Sequence, residues 1–184
     1  MNNSDLEIRT ATLSASDKKL VGYVIKWNHR SHVLWDEFTE QFAPDAFKAS
    51  LQSGNDVRAL YEHDHTNLLG RTTSGTLQLS EDAAGLRFEL TPPDTQLGRD
   101  VLALVERGDI DGMSFGFRAI KDQWDIGQEP YVRTVLEAEL REITVTSIPA
   151  YPDSGVEIAR RSLTTAKPPA DGLRDRWLQL SEVE

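Results

Sequence analysis

The chain has 184 residues, 39% of them hydrophobic and 27% charged, enough for one domain with an ordinary core and a short tail. Its formal net charge of −10 opposes binding to a phosphate backbone, and the absence of cysteine removes disulfides, thiolate nucleophiles and cysteine-ligated zinc. No apolar run is long enough to span a bilayer, the opening MNNSDLEIRT is not a secretory signal, and no GxxxxGK phosphate loop occurs, so neither nucleic acid nor membrane is expected as a partner.

Strand-like alternation opens the chain at Leu6–Ala11, and Leu20–Trp27 is apolar enough for a strand inside a sheet. Ala43–Leu51 carries the marks of a short helix: Pro44 early, Asp45 in the first turn, Phe47 and Leu51 four apart. Val57–Tyr61 reads as another strand, running into Glu62-His63-Asp64-His65. Gly75–Leu79 and Gly85–Leu90 form a predicted hairpin about the turn formers of Ser80–Ala84. Thr91-Pro92-Pro93-Asp94 stops that hairpin and starts a helix. Leu97, Val101, Leu104 and Val105 share its apolar face, and Gly108 ends it.

Met113–Ile120 alternates as a strand, with Phe115 and Phe117 on one face and Ser114, Gly116 and Arg118 on the other. Val132–Leu136 and Ala138–Ile148 make the last strand region, which Pro149-Ala150-Tyr151-Pro152 terminates. Residues 162–170 have linker composition, and Leu173, Trp177 and Leu180 lie beyond at helical spacing. The sum is a mainly β, α+β domain over residues 1–160, a barrel or curled sheet with a few helices, then a linker and short helical tail over 161–184.

Three segments hold residues able to do chemistry. In Gly112-Met113-Ser114-Phe115-Gly116, glycine flanks a serine at two residues each way inside a strand. Glycine weakens a strand and marks close approach of backbone or ligand. Here it would leave space around the Ser114 hydroxyl, and amides of 112–116 for an oxyanion, with Arg118 or Arg71 as weaker candidates. Histidine at a strand end, as at His63, can take a proton from serine and return it to a leaving amine; His63 and His65 would share one face of an extended segment. In Leu140-Arg141-Glu142-Ile143-Thr144-Val145-Thr146, Glu142 lies on the face opposite Ile143 and Val145, and a carboxylate there that met His63 would orient the ring. A rival arrangement is a metal site built on the pairs His29/His32 and His63/His65.

Taken in this order, the segments resemble the prohead proteases of tailed bacteriophages, which share a fold with the herpesvirus capsid assembly protease. The marks are His63 ahead of Leu69-Gly70-Arg71, then Asp111–Phe117 after a helix ending in Gly108, then Leu140–Val145 running into Ile148–Pro152. The resemblance implies an antiparallel β-barrel wrapped by a few helices, herpesvirus-protease-like. It implies a serine endopeptidase with Ser114 as nucleophile and His63 as base. The third member is left among Glu142, His65 and Asp64, with Glu142 in the place of the family's acidic residue. No cofactor or metal is implied. The implied partner is the major capsid protein, whose scaffolding segment would be cut during prohead maturation, inside the procapsid in the host bacterial cytoplasm. Self-cleavage and, by analogy with the herpesvirus enzymes, a homodimer are also expected; the alternative is a non-catalytic capsid- or scaffold-binding module built on the same barrel.

Overall fold

The computed structural model describes the backbone of residues 7–16 and, in full, residues 18–147 and 165–166. Among the described residues, nine strands and two α-helices within 7–147 follow in chain order: β1 Glu7–Ser16, β2 Lys19–Lys26, β3 Phe38–Phe42, α1 Lys48–Gln52, β4 Arg58–Tyr61, β5 Asp64–Arg71, β6 Leu77–Glu81, β7 Gly85–Leu90, α2 Gln96–Arg107, β8 Gly112–Asp125 and β9 Tyr131–Thr146. The expected ending at Ile148–Pro152, the division near residue 160 and the tail segment lie outside the described residues, as does the linker apart from residues 165–166.

All nine strands join one sheet in the order β5-β4-β9-β8-β1-β2-β7-β6, with β3 added to β9. The mainly β expectation holds. The closed antiparallel barrel does not, on two counts. First, β3 and β4 both run parallel to β9. Second, the edge strands β5 and β6 meet only at a corner. They are consecutive in the chain, joined through a 3₁₀ turn at Thr72–Ser74, and there Arg71 N donates to Thr76 Oγ1 at 3.0 Å. No ladder pairs them among the described residues, so the sheet curls without closing.

The core lies on one face of this curled sheet. Phe115 and Phe117 of β8, fully buried, pack with Phe42 and Phe47 at ring-centroid distances of 5.0 to 6.5 Å. Ile143 and Val145 of β9 and Ala59 of β4 complete that layer. The helix expected between Thr91-Pro92-Pro93-Asp94 and Gly108 forms over residues 96–107: Thr95 Oγ1 accepts from Gly98 N, and Gly108 closes the helix at φ +77. Val101 and Val105 face the core. The earlier helix is shorter than its pattern suggests, because Asp45 sits at φ +64 and only residues 48–52 become helical. A side chain at that φ is incompatible with a right-handed helical turn.

One glycine in α2 is required by contact rather than by turn geometry. A Cβ on Gly98 would lie 2.0 Å from the Pro93 carbonyl oxygen. Alanine is the better helix former by about 1 kcal/mol, but that carbonyl belongs to backbone that cannot step aside cheaply. Gly98→Ala is therefore expected to destabilise the protein, by about 1–3 kcal/mol, read as a lowered midpoint of thermal unfolding.

Candidate active site

Ser114 sits in β8 directly opposite Thr144 of β9. Residues opposite one another across an antiparallel pair project to the same face. Phe115 and Ile143, also a pair, point into the core, so Ser114 and Thr144 point to the other side. Both are fully buried there. The next pair along this face is Gly116 with Glu142. Glycine opposite the glutamate leaves room beside its carboxylate, and Glu142 is 5% exposed.

Glu142 reaches this face through a register shift. Gly116 pairs with Glu142 but Phe117 pairs with Leu140, leaving Arg141 as the extra residue. Such a bulge moves the strand's alternation by one. Ala138 and Leu140 face the core before it, Ile143 and Val145 after it. Glu142 is thereby placed in line with Thr144 and Thr146 on the face that carries Ser114.

His63 arrives from the turn between β4 and β5. β4 runs alongside β9, with Arg58 opposite Glu142 and Tyr61 opposite Val145. Tyr61 then pairs with Asp64 across a two-residue turn, Glu62-His63. Both turn residues have positive φ, +52 and +57, the pattern of a type I′ hairpin, which favours asparagine and glycine. Holding two ordinary side chains there costs of order 1–3 kcal/mol each, and such strain concentrates at functional sites. The expectation that His63 and His65 share one face of an extended segment is thus corrected. His63 is in the turn, whereas His65 is exposed in an irregular stretch where β5 slips against β4.

The three candidates for the third role are placed differently. His63 Nδ1 lies 2.8 Å from Glu142 Oε1. Asp64 is exposed, and its carboxylate accepts instead from Thr66 N, Thr66 Oγ1 and Asn67 Nδ2. Because a carboxylate only accepts, Nδ1 carries a proton in this pair, and a neutral ring then presents a lone pair at Nε2. That Nε2 is buried and has no hydrogen-bond partner; the same is true of Ser114 Oγ and Thr144 Oγ1. Each buried orphan costs about 1–3 kcal/mol, and three around one patch of sheet call for a function.

Backbone amides of 112–116 do not form the expected oxyanion hole. Over these residues β8 is paired with β1 on one side and β9 on the other, so its amides point along the sheet to neighbouring strands. Sequence spacing could not show this, since both neighbours come from distant parts of the chain. Arg71 is also committed: its Nε donates to Asp56 Oδ1 at 3.0 Å, and its second guanidinium nitrogen bonds Asp56 Oδ2. The Arg71 hydrogen bonds, aided by Thr73, hold the Asp56 carboxyl down at about 2. Arg118, four residues from Ser114, binds Glu139 at 3.0 Å while its buried Nε–H has no partner. Thr144, directly opposite the serine, carries a buried hydroxyl without a partner that sequence reasoning missed.

The rival metal arrangement finds no support in the geometry. His29 and His32 are exposed, and no group of three or more His, Cys, Asp or Glu side chains gathers to hold a metal among the described residues.

Residues 4–168 match the family described as the caudovirus prohead serine protease. The chain is 33% identical over 117 residues to the prohead protease of Enterobacteria phage HK97, covering 61% of this chain and 49% of that protein. It is 26% identical over 101 residues to the prohead protease of Escherichia phage T5, covering 55% and 45%. The chain thus spans about half the length of the curated relatives it matches. No solved structure matches it.

Proposed function

The chain belongs to the caudovirus prohead serine protease family, and from that premise we propose that it hydrolyses peptide bonds with Ser114 as nucleophile, His63 as general base and Glu142 as the group that orients the base. One observation carries this assignment: the His63 ring is held at Nδ1 by Glu142 while its Nε2, like the Ser114 hydroxyl of the adjoining strand, is buried and unpartnered.

In this mechanism Ser114 Oγ attacks the scissile carbonyl carbon as its proton passes to His63 Nε2. The imidazolium is stabilised by Glu142, and its proton then goes to the leaving amine as the C–N bond breaks. Water, activated by the same nitrogen, releases the acyl group and restores the serine. The Thr144 hydroxyl and the Arg118 Nε–H are the uncommitted donors we assign to the oxyanion. Full burial of Ser114 fits an enzyme held latent until its substrate is assembled around it.

The substrate we assign is the scaffolding segment of the phage major capsid protein, cut inside the procapsid in the host cytoplasm. Cleavage of the chain itself and pairing into a homodimer are further parts of this reading. Its fold would be an opened variant of the herpesvirus assembly protease fold. The support is the family membership together with the names of the two relatives.

The test is co-expression with the phage's major capsid protein and intact mass measurement of both products. Trimming of the capsid protein by the wild-type chain and not by Ser114→Ala is the expected result. Trimming by both would remove Ser114 from the mechanism, and trimming by neither in assembled proheads would sink the capsid-processing role. An unchanged mass of this chain after complete trimming would remove self-cleavage.

A further inference from the structure

Glu62 stands beside the base and takes no part in the proton transfers assigned above. We infer that Glu62 is a positioning residue whose carboxylate locks the left-handed Glu62-His63 turn onto the end of β9 and so aims the His63 ring. The inference rests on the reading of His63 as the base.

The lock is made by hydrogen bonds to consecutive residues of one strand end. Glu62 Oε2 accepts from Thr146 Oγ1 at 2.8 Å. Oε1 accepts from Ser147 N and from Ser147 Oγ, each at 2.8 Å. The backbone joins in, as Glu62 N donates to Val145 O at 3.0 Å. Residues 145–147 follow shortly after Glu142 in the chain. The base is therefore tied to the same strand end twice, through its ring by Glu142 and through its turn by Glu62.

Such a tie is needed because of the turn's conformation. Positive φ is uncommon for any residue with a side chain, and glutamate, unlike histidine, is not among those enriched there. A two-residue type I′ hairpin favours asparagine and glycine at its central positions, and a turn that left this conformation would carry the imidazole away from Glu142. Carboxylate chemistry suits the task, since two oxygens can accept several donors at once. Burial pushes the Glu62 carboxyl up, but the hydrogen bonds from Ser147 and Thr146 outweigh it and hold it below the usual range.

The experiment uses the whole chain and a fluorophosphonate, which labels an activated serine without needing the peptide substrate. The second readout is the proton NMR resonance of His63 Nδ1–H, assigned by its absence in His63→Ala. Glu62→Ala is expected to lower the labelling rate constant about 100-fold, the scale of a misplaced catalytic group, and to shift or broaden that resonance. Glu62→Gln is expected to keep both readouts near wild type, because the amide oxygen still accepts from Ser147 and the amide nitrogen can donate to the Thr146 hydroxyl. A Glu62→Ala chain that labels at the wild-type rate with an unmoved resonance overturns the inference. If Glu62→Ala does not fold, Glu62→Gln decides: loss of both readouts in a folded Gln variant overturns positioning in favour of a charge effect. Should the isolated wild type not label, as a latent serine would not, the labelling is repeated in assembled proheads; failure there removes the nucleophile assignment rather than this one. The resonance then decides alone, and its failure to move in Glu62→Ala overturns the role given to Glu62.

Discussion

Ser114→Ala, His63→Ala and the double variant are expected to lose peptide-bond hydrolysis to the same extent, each by about 10⁴- to 10⁶-fold. A serine without its base is a weak nucleophile, and a base without the serine has no proton to take, so the second substitution removes nothing that the first has left. Glu142→Gln is expected to fall less far, by about 10²- to 10⁴-fold. Its amide oxygen can still accept from His63 Nδ1, but the negative charge that stabilises the imidazolium is gone. Initial rates on the capsid-protein substrate, with thermal unfolding as a check on folding, measure all four variants. Losses that multiply in the double variant would show that Ser114 and His63 act independently, and the nucleophile–base assignment would then be abandoned.

The residues of the candidate site were legible in the sequence, yet their assembly was not. Alternation in β8 separates Phe115 and Phe117 from Ser114 by period alone, and the structure keeps that separation. The helix at 96–107 was equally open, since Thr91-Pro92-Pro93-Asp94 ahead of it and Gly108 behind it mark its ends and the apolar spacing marks its face. In contrast, the meeting of His63 with Glu142 depends on a two-residue left-handed turn made without glycine or asparagine. Local propensity gives no reason to place a turn there. The run Glu62-His63-Asp64-His65 reads as one extended piece, and the fold bends it at its second residue because Thr146 and Ser147, far along the chain, supply the compensating hydrogen bonds.

The same cause hid the rest of the fold. β5 opens with Asp64-His65-Thr66-Asn67, which is loop composition, and the strand accommodates it with slipped register rather than with regular pairing. Both parallel pairings, β3 and β4 to β9, join segments separated by long stretches of chain. A parallel pair leaves no hairpin signature for a sequence to reveal, and the barrel expectation failed at that point. The phenylalanines at either end of β3, Phe38 and Phe42, are both buried. Between them, on the same side of the strand, stands a glutamate, and a charged residue in the middle of Phe-Thr-Glu-Gln-Phe argues against a buried strand.

That glutamate carries the second large effect. Glu40 pairs in register with Arg133, and their side chains meet at 2.8 Å while 0% and 1% exposed. Asp122 takes the Arg133 Nε at 2.8 Å, and the guanidinium lies 5.9 Å from the Trp124 ring centre. Desolvating such charges offsets most of their attraction, so the intact pair adds little net stability, but removing Glu40 takes a fully buried counter-charge away from the buried Arg133 guanidinium. Glu40→Ala is expected to cost about 3–5 kcal/mol, which at about 2–4 °C per kcal/mol lowers the unfolding midpoint by about 6–20 °C. Glu40→Leu combined with Arg133→Met is expected to cost less than either single change, because the charge it leaves without Arg133, on Asp122, is 18% exposed rather than fully buried. Below the midpoint, fluorophosphonate labelling of Ser114 should be unchanged. Arg133 and Glu142 are nine residues apart along β9, about 30 Å of extended strand, and the ion pair secures the half of the strand that does not carry the site. A folded Glu40→Ala chain with a slowed serine would instead mean that strain at the first half of β9 is transmitted through the Arg141 bulge to Glu142.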